Sequence, residues 1–321
     1  MDRSRDIADA RLPQLREQEP LARYTGWRIG GPARYMAIAA SEGELVAALR
    51  WAIERELPVL MLGGGTNMLI SDQGFPGLVV RYRAQMQQLE DLDGEARLYV
   101  AAGAPMAGTA RRMSSQGYRG LQWAEGLPGT IGGAVYGNAG CYGGDVASQL
   151  TRAWMLQPDG SIEVWDVERL GYGYRTSVLK AQAAEASGPP GPVVLAAEFR
   201  LVPDNPQVLR AEMEAIALAR RSKTPGGSSC GSVFKNPPGD AAGRLIEAAG
   251  LKGLRVGGAI ISEKHGNYII NQGGASAKDV LALIDLAREE VLRQFGVALD
   301  LEVQLVGFGG AEGSLWPRSC A

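Results

Sequence analysis

Histidine is almost absent from this chain: of 321 residues one is His, at position 265. Cysteine is scarce too, with only Cys141, Cys230 and Cys320, and no two of them form a CxxC pair. A His-rich metal site and a zinc site built from four cysteines are therefore excluded. Thiols this few, and odd in number, argue against a disulfide scaffold and fit a reducing compartment. No apolar run approaches the ~18 residues that span a bilayer, and the opening MDRSRDIADARLPQLREQEP lacks the apolar core of a secretory signal. A dominant charge sign is missing as well. The 33 Lys and Arg against 35 Asp and Glu leave a net charge of −2, so there is no broad basic field for nucleic acid or an anionic membrane. Any anionic ligand must be met by a local cluster. These exclusions leave a soluble chain, expected in the cytoplasm.

What is present is an ordinary globular composition, 45% hydrophobic and 21% charged, with 44 glycines, about twice the usual ~7%. The length suits about two domains. Residues 1–22 read as a charged N-terminal extension without regular structure. A helix is expected from Ser41, where Ser41 and Glu44 make a capping-box pair and Pro58 follows the end. PVLML (58–62), GLVVRY (77–82) and RLYVAAG (97–103) read as strands, with a short helix near Met106–Gln116. WMLQPDGSIEVWD (154–166) reads as a hairpin, 181–192 as a loop, and 193–202 as a strand. Asn205 to Arg221 has helical periodicity and ends in Arg220, Arg221 and Lys223; the domain boundary is expected there. A helix near Ala241–Ala249 and a longer one capped by Ser276 and stopped by Gly296 follow. LDLEVQLV (299–306) alternates strictly and reads as a closing strand.

Two glycine segments are the conspicuous feature. Gly63-Gly64-Gly65-Thr66-Asn67-Met68 follows a buried strand, and 126–144 holds eight glycines in 19 residues. Glycine backbone takes positive φ and approaches a ligand closely, and successive N–H groups in a turn form an anion site. An isolated GGG is more often just a tight turn. Neither segment is a P-loop, since GK[ST] is missing, and the first does not open a helix as a dinucleotide fingerprint must. Two such loops, each framed by strands, suggest convergence on one diphosphate through backbone N–H groups, without a helix dipole.

Read in order, WRIGGPA (27–33), LGGGTNMLISD (62–72), EGLPGTIGGAVYGNAGCYGG (125–144), GYRTS (173–177), SCGSVFKNP (229–237), LIEAAGLKG (245–253), SEKHGNYIIN (262–271) and LEVQLVG (301–307) resemble the UDP-N-acetylenolpyruvoylglucosamine reductases. The resemblance runs from about Tyr24 to Gly307. It implies an α+β fold, with a two-lobed FAD-binding domain of the vanillyl-alcohol-oxidase type (23–204) followed by a smaller α/β substrate domain (205–310) and a tail (311–321). It also implies the activity: hydride passes from NADPH to FAD and on to the enolpyruvyl group of UDP-N-acetylglucosamine enolpyruvate, giving UDP-N-acetylmuramate for peptidoglycan. By motif match Ser232 is the proton donor, accompanied by Arg175 and Glu302. The FAD contacts implied are Gly63, Gly64, Gly65, Thr66, Asn67 and Met68 in one loop, and Gly126, Pro128, Gly129, Thr130, Gly132, Gly133, Asn138 and Gly140 in the other. Tyr174, Lys235, Asn236, Lys264 and Asn267 are the substrate contacts, and the enzyme is taken as a monomer.

Elementary chemistry agrees in part. Hydride addition to an enol ether conjugated to a carboxylate builds charge on that carboxylate, which a preorganised cation stabilises; Arg175 is the first candidate, with Lys235 and Lys264 as further ones. Serine is a poor acid alone, so Ser232 is expected to be tied to a neighbouring charge or a water relay. The basic residues Arg220, Arg221, Lys223, Lys235, Lys252, Arg255 and Lys264 are expected to serve a substrate lobe. With no His before position 265, flavin cannot be held by a histidyl bond in the first domain, and non-covalent FAD is expected. The sequence departs from the family pattern at Gly137 and Cys141, in a stretch usually like QNAGAYG, and at Gly266 in place of Ala. The compact Arg175–Ser232 span places it with the subgroup lacking a tyrosine-bearing insertion. The glycine loops alone also allow a sugar or lactone oxidase, against which the motifs around Ser232, Lys264 and Glu302 argue, or a flavin electron-transfer module, against which a soluble chain with its own substrate-like lobe argues.

Overall fold

The computed structural model describes residues 11–185 and 191–308. Cys320, the expected tail, residues 1–10 of the expected extension and 186–190 of the expected loop lie outside the described residues. The chain divides into two units. The first takes Met36–Gly64 and Gly77–Ser222, with the first described residues through Arg16; the second takes Glu17–Tyr35, Gly65–Pro76 and what is described from Lys223 on. Two continuous domains were expected, whereas the second unit is assembled from three stretches. The reason is burial: Trp27, Ile29 and Leu69 from the early stretches are at most 3% exposed in a core with Phe234, Ile261, Leu283 and Val291. The helix Pro206–Lys223 falls, except for its last residue, in the first unit.

The first unit is built on an antiparallel sheet in the order Ile162–Asp166, Leu150–Leu156, Val193–Pro203, Glu95–Ala101, Gln87–Leu92. The central strand sets its register, with Ala197 opposite both Ala153 and Val100. Its residues Leu195, Ala197, Phe199 and Leu201 are fully buried, and Val194, Ala196 and Glu198 between them are buried too, so both faces of this stretch are covered; alternation appears only from Arg200 on, where Leu201 is buried between exposed Arg200 and Val202. A parallel pair, Val59–Met61 with Phe75–Tyr82, stands apart from it. The Glu42–Ile53 helix is capped by Ser41, whose Oγ accepts from Glu44 N at 3.2 Å, but the expected capping box is not closed: the Glu44 carboxylate accepts from Ala40 N at 2.7 Å, one residue before the cap.

In the second unit a three-stranded sheet, Arg255–Val256, Ala259–Ile261 and Ile269–Asn271, packs beside the Ala277–Phe295 helix. That helix buries Val280, Leu283, Ile284, Ala287 and Val291, the stripe that its sequence spacing predicts. Ser276 and Asp279 form a full capping box, and Gly296 ends it at φ 68°. A third residue joins the N-terminus: the Asp72 carboxylate accepts from Ala277 N at 2.7 Å and Lys278 N at 3.2 Å.

Five local expectations change. The second glycine segment is not all loop, because Ile131–Gly137 is a helix with Thr130 as its N-cap. The closing strand is shorter than its alternation suggests. Only Gln304–Val306 is strand, paired parallel with Met68–Ile70, while Leu301 makes an isolated bridge to Phe234. The chain kinks between because Glu302 N and Val303 N both turn to one carbonyl, that of Val233. Gln87–Leu92 is a strand hairpinned onto Glu95–Ala101, a pairing with too few apolar residues to be seen in sequence. Leu15–Pro20, read as part of an irregular extension, is a polar edge strand followed by a 3-10 turn over Leu21–Tyr24. Val178–Glu185 is a helix that enters the expected 181–192 loop.

Candidate active site

Within the first unit, the glycine segments meet. A Cβ added at Gly63 would stand 2.7 Å from Thr130 Oγ1, so the two loops approach backbone to side chain with no room for more. The Gly63 and Gly64 amides donate to no acceptor among the described residues. Gly129 lies at φ 110° directly before Thr130, whose hydroxyl accepts from Gly133 N at 3.4 Å. Small residues, partly open backbone and unpaired N–H donors at one place are what a diphosphate needs; Gly63 and Gly64 have that character, whereas the amides of Gly132 and Gly133 are taken by Ala102 O at 2.8 Å and Thr130 Oγ1. Glu125 anchors the second segment: it is 6% exposed, and Arg111 clamps it through Nε at 2.8 Å and Nη2 at 2.5 Å. No sequence signal marks this pair.

Arg175 sits at the tip of a two-residue turn closed by Gly173 N to Thr176 O at 3.2 Å and Thr176 N to Gly173 O at 3.3 Å. Its φ is 55°, a conformation that turns normally give to Gly or Asn. The Ile131–Gly137 helix and its cap hold this turn in place. Tyr172 Oη donates to Val135 O at 2.8 Å, Ser177 Oγ donates to Tyr136 O at 2.5 Å, and Asn138 Nδ2 donates to Gly173 O at 3.1 Å. Asn138, nominated for FAD, is 7% exposed and accepts from Ala147 N through Oδ1. Both ends of its amide are thus engaged in structure. Tyr174, beside Arg175, is 59% exposed.

A second guanidinium lies close by. Arg220 donates to Cys141 Sγ at 3.1 Å and covers the Tyr142 ring at 5.3 Å, and a Cβ on Gly126 would stand 2.8 Å from its Cδ. Burial pushes the Cys141 thiol up, while Arg220 and Arg175 pull it down. Arg220 and Arg221 were expected to serve a substrate lobe, but both belong to the first unit.

In the second unit, Ser232 and Glu302 come together through the backbone. Val233 O accepts from Glu302 N at 2.9 Å, and Lys235 N donates to Asp300 O at 2.8 Å. Asn67 closes the same knot from the first glycine loop: its Nδ2 donates to Glu302 O at 3.1 Å and its carbonyl accepts from Gln304 N at 3.0 Å. The Ser232 hydroxyl makes no hydrogen bond to a described residue, so the expected tie is not to a protein group there. Gly65 is buried at φ 61°, and a Cβ on it would overlap Tyr24 O. Its glycine is required by packing within the unit. Met68 starts the strand that pairs with Gln304, and Thr66 is half-buried.

Of the nominated substrate contacts, Lys235 is half-buried, and Lys264 is exposed with Nζ 3.0 Å from Thr224 O. Asn236 Oδ1 accepts from Ala242 N at 3.1 Å, at the start of the Ala242–Ala248 helix. Asn267 is 3% exposed and bonded to Phe234. Lys252 pairs with Glu247 at 2.7 Å and Arg255 with Gln272 at 2.5 Å, so neither is an open cation. No group of three potential metal ligands and no helix long and apolar enough to cross a membrane occurs among the described residues.

Known proteins resemble the chain along nearly its whole length. Residues 33–165 match the family described as FAD binding domain, and residues 222–306 match UDP-N-acetylenolpyruvoylglucosamine reductase, C-terminal domain. A UDP-N-acetylenolpyruvoylglucosamine reductase of Chloroflexus aggregans is 55% identical, over 91% of this chain and 97% of the relative. One from Rubrobacter xylanophilus is 45% identical, over 92% and 96%. The crystal structure of the reductase from Thermus caldophilus superposes with a TM-score of 0.75 at 36% identity, covering 91% of this chain and 98% of that one.

Proposed function

Because this chain belongs to the UDP-N-acetylenolpyruvoylglucosamine reductase family, we propose that it reduces the enolpyruvyl group of UDP-N-acetylglucosamine enolpyruvate to UDP-N-acetylmuramate, with NADPH as reductant. FAD is its cofactor; when bound, it supplies hydride chemistry between the nicotinamide and the enolpyruvyl double bond. The backbone at Gly63, Gly64, Gly129 and Thr130 would hold its diphosphate. Arg175, on its braced turn, offers its guanidinium to the substrate carboxylate, on which charge grows during reduction. Ser232 Oγ delivers a proton to the carbon neighbouring the one that receives hydride, and Glu302 accompanies it. Lys235 and Lys264 meet the substrate's diphosphate, while Asn236 and Asn138 serve structure. Two free thiols, Cys141 and Cys230, support a reducing, cytoplasmic setting.

The observation that carries this reading is the meeting of Ser232 and Glu302. Motif matches 70 residues apart nominate them separately, and one carbonyl, that of Val233, joins them. The test divides the reaction. Ser232→Ala should leave NADPH-driven flavin reduction intact and slow reoxidation of the flavin by UDP-N-acetylglucosamine enolpyruvate by roughly 10²–10⁴, the usual contribution of a general acid. If both half-reactions fall together, Ser232 is not the proton donor.

A further inference from the structure

The nominated substrate contact Asn267 is engaged in another task. Its Oδ1 accepts from Phe234 N at 2.9 Å, its Nδ2 donates to Phe234 O at 2.8 Å, and its backbone carbonyl accepts from Val233 N at 3.0 Å. Three bonds therefore hold the two residues that follow Ser232. Only a carboxamide presents a donor and an acceptor side by side in this way, so Asn267 acts on Phe234 as a neighbouring strand would. The Val233 peptide is shared: its N–H goes to Asn267, and its carbonyl accepts from Glu302 N at 2.9 Å and Val303 N at 3.3 Å. Asn267 and Glu302 thus both hold the two residues that follow Ser232, the first through Val233 N–H and Phe234, the second through the Val233 carbonyl.

Asn267 is itself held by the chain's one histidine. Asn267 N donates to His265 Nδ1 at 3.1 Å, which requires an imidazole unprotonated at that nitrogen. His265 packs on the Ala242–Ala248 helix, where a Cβ on Gly243 would stand 2.7 Å from its Cε1, and lies 4.9 Å from the Tyr268 ring. The charged groups facing it are Lys252 and Glu247, paired with each other. Burial first, then Lys252, hold its pKa below the ordinary histidine value, with Glu247 opposing. The ring is therefore neutral near pH 7. As pH falls through that lowered value, Nδ1 becomes a donor and faces the Asn267 N–H.

We propose that Asn267 is a positioning residue, setting the Ser232 hydroxyl against Glu302, and that His265 is the acceptor that keeps Asn267 in register. This rests on Ser232 being the proton donor.

The test uses full-length, flavin-loaded protein, with rates taken per bound flavin. Asn267→Asp keeps the shape but turns an oxygen toward Phe234 O. It should leave flavin reduction by NADPH within about twofold and slow reoxidation by saturating UDP-N-acetylglucosamine enolpyruvate at least tenfold, in kcat and not KM. Backbone hydrogen exchange at Val233 and Phe234 should rise several-fold, with or without substrate. His265→Asn offers an acceptor where Nδ1 stood but does not titrate; wild type should show an acid limb below the ordinary histidine pKa, and this variant should keep the reoxidation rate near pH 7 and lose that limb. A raised KM with unchanged kcat would return Asn267 to substrate contact and overturn the proposal, as would unchanged exchange or an acid limb that survives His265→Asn. If Ser232→Ala itself leaves reoxidation intact, the proton-donor reading fails first and this proposal falls with it.

Discussion

Arg175 shows how a single residue is placed against its own preference. A non-glycine side chain in the left-handed region costs on the order of 1–3 kcal/mol, and three hydrogen bonds from Tyr172, Ser177 and Asn138 keep it there. Replacing it with glycine removes the strain. Arg175→Gly should lose the substrate-dependent half-reaction yet melt no lower than wild type, an outcome that parallel calorimetry and stopped-flow measurements would check; a marked fall in Tm would mean that the guanidinium, not the turn, stabilises this region. At this scale the sequence was informative about identity. Ser232, Arg175 and Glu302 are marked by their motifs, but the left-handed φ of Arg175 is not, because nothing in GYRTS marks which residue takes it. The tasks of Asn138 and Asn267 were illegible for a related reason. An amide's partners are chosen by contacts across the chain, and the same Asn in a motif serves a ligand or a backbone equally well.

Elements explain the two glycines that depart from the family pattern. Gly137 is the last residue of the Ile131–Gly137 helix, and a Cβ there would meet nothing within 4 Å. Gly266 is buried, and a Cβ there would stand 2.6 Å from Gly243 O and 3.3 Å from Ile246 Cβ, both on or beside the Ala242–Ala248 helix. The two positions should respond oppositely. Gly137→Ala is expected to stabilise the protein by about 0.5–1 kcal/mol through helix propensity, whereas Gly266→Ala, though it restores the family residue, should cost about 1–3 kcal/mol as the helix is forced to shift. Denaturant unfolding of the two variants would decide it, and a stable Gly266→Ala would show that the helix yields freely. The helices themselves were readable in sequence wherever a cap and an apolar stripe coincide, as at Ser41 and Ser276. Ile131–Gly137 was not, because three of its seven residues are glycine and its start is signalled only by Thr130.

Over the whole molecule, the division into units runs through the first glycine loop, between Gly64 and Gly65, and again at Pro76 and Ser222. Arg175 and the backbone at Gly63, Gly64, Gly129 and Thr130 belong to one unit, and Ser232, Glu302 and Lys235 to the other. The one histidine lies in the second unit, and the described thiols are poorly disposed to react: burial raises Cys141 and pushes Cys230 up to about 11. FAD should therefore be released into the supernatant when the protein is precipitated by heat or acid, and yellow colour kept by the washed pellet would contradict non-covalent binding. Composition and motif order were enough to indicate the family and the cofactor class, and to rule out a His-rich or four-cysteine metal site and a histidyl-flavin bond before position 265, because each depends on which residue types exist and in what order. The discontinuous second unit, the knot of Asn67, Glu302, Val233 and Asn267, and the left-handed Arg175 turn required the folded chain. They depend on hydrogen bonds and burial between residues tens to hundreds of positions apart, and linear spacing carries no record of which distant backbone groups will meet.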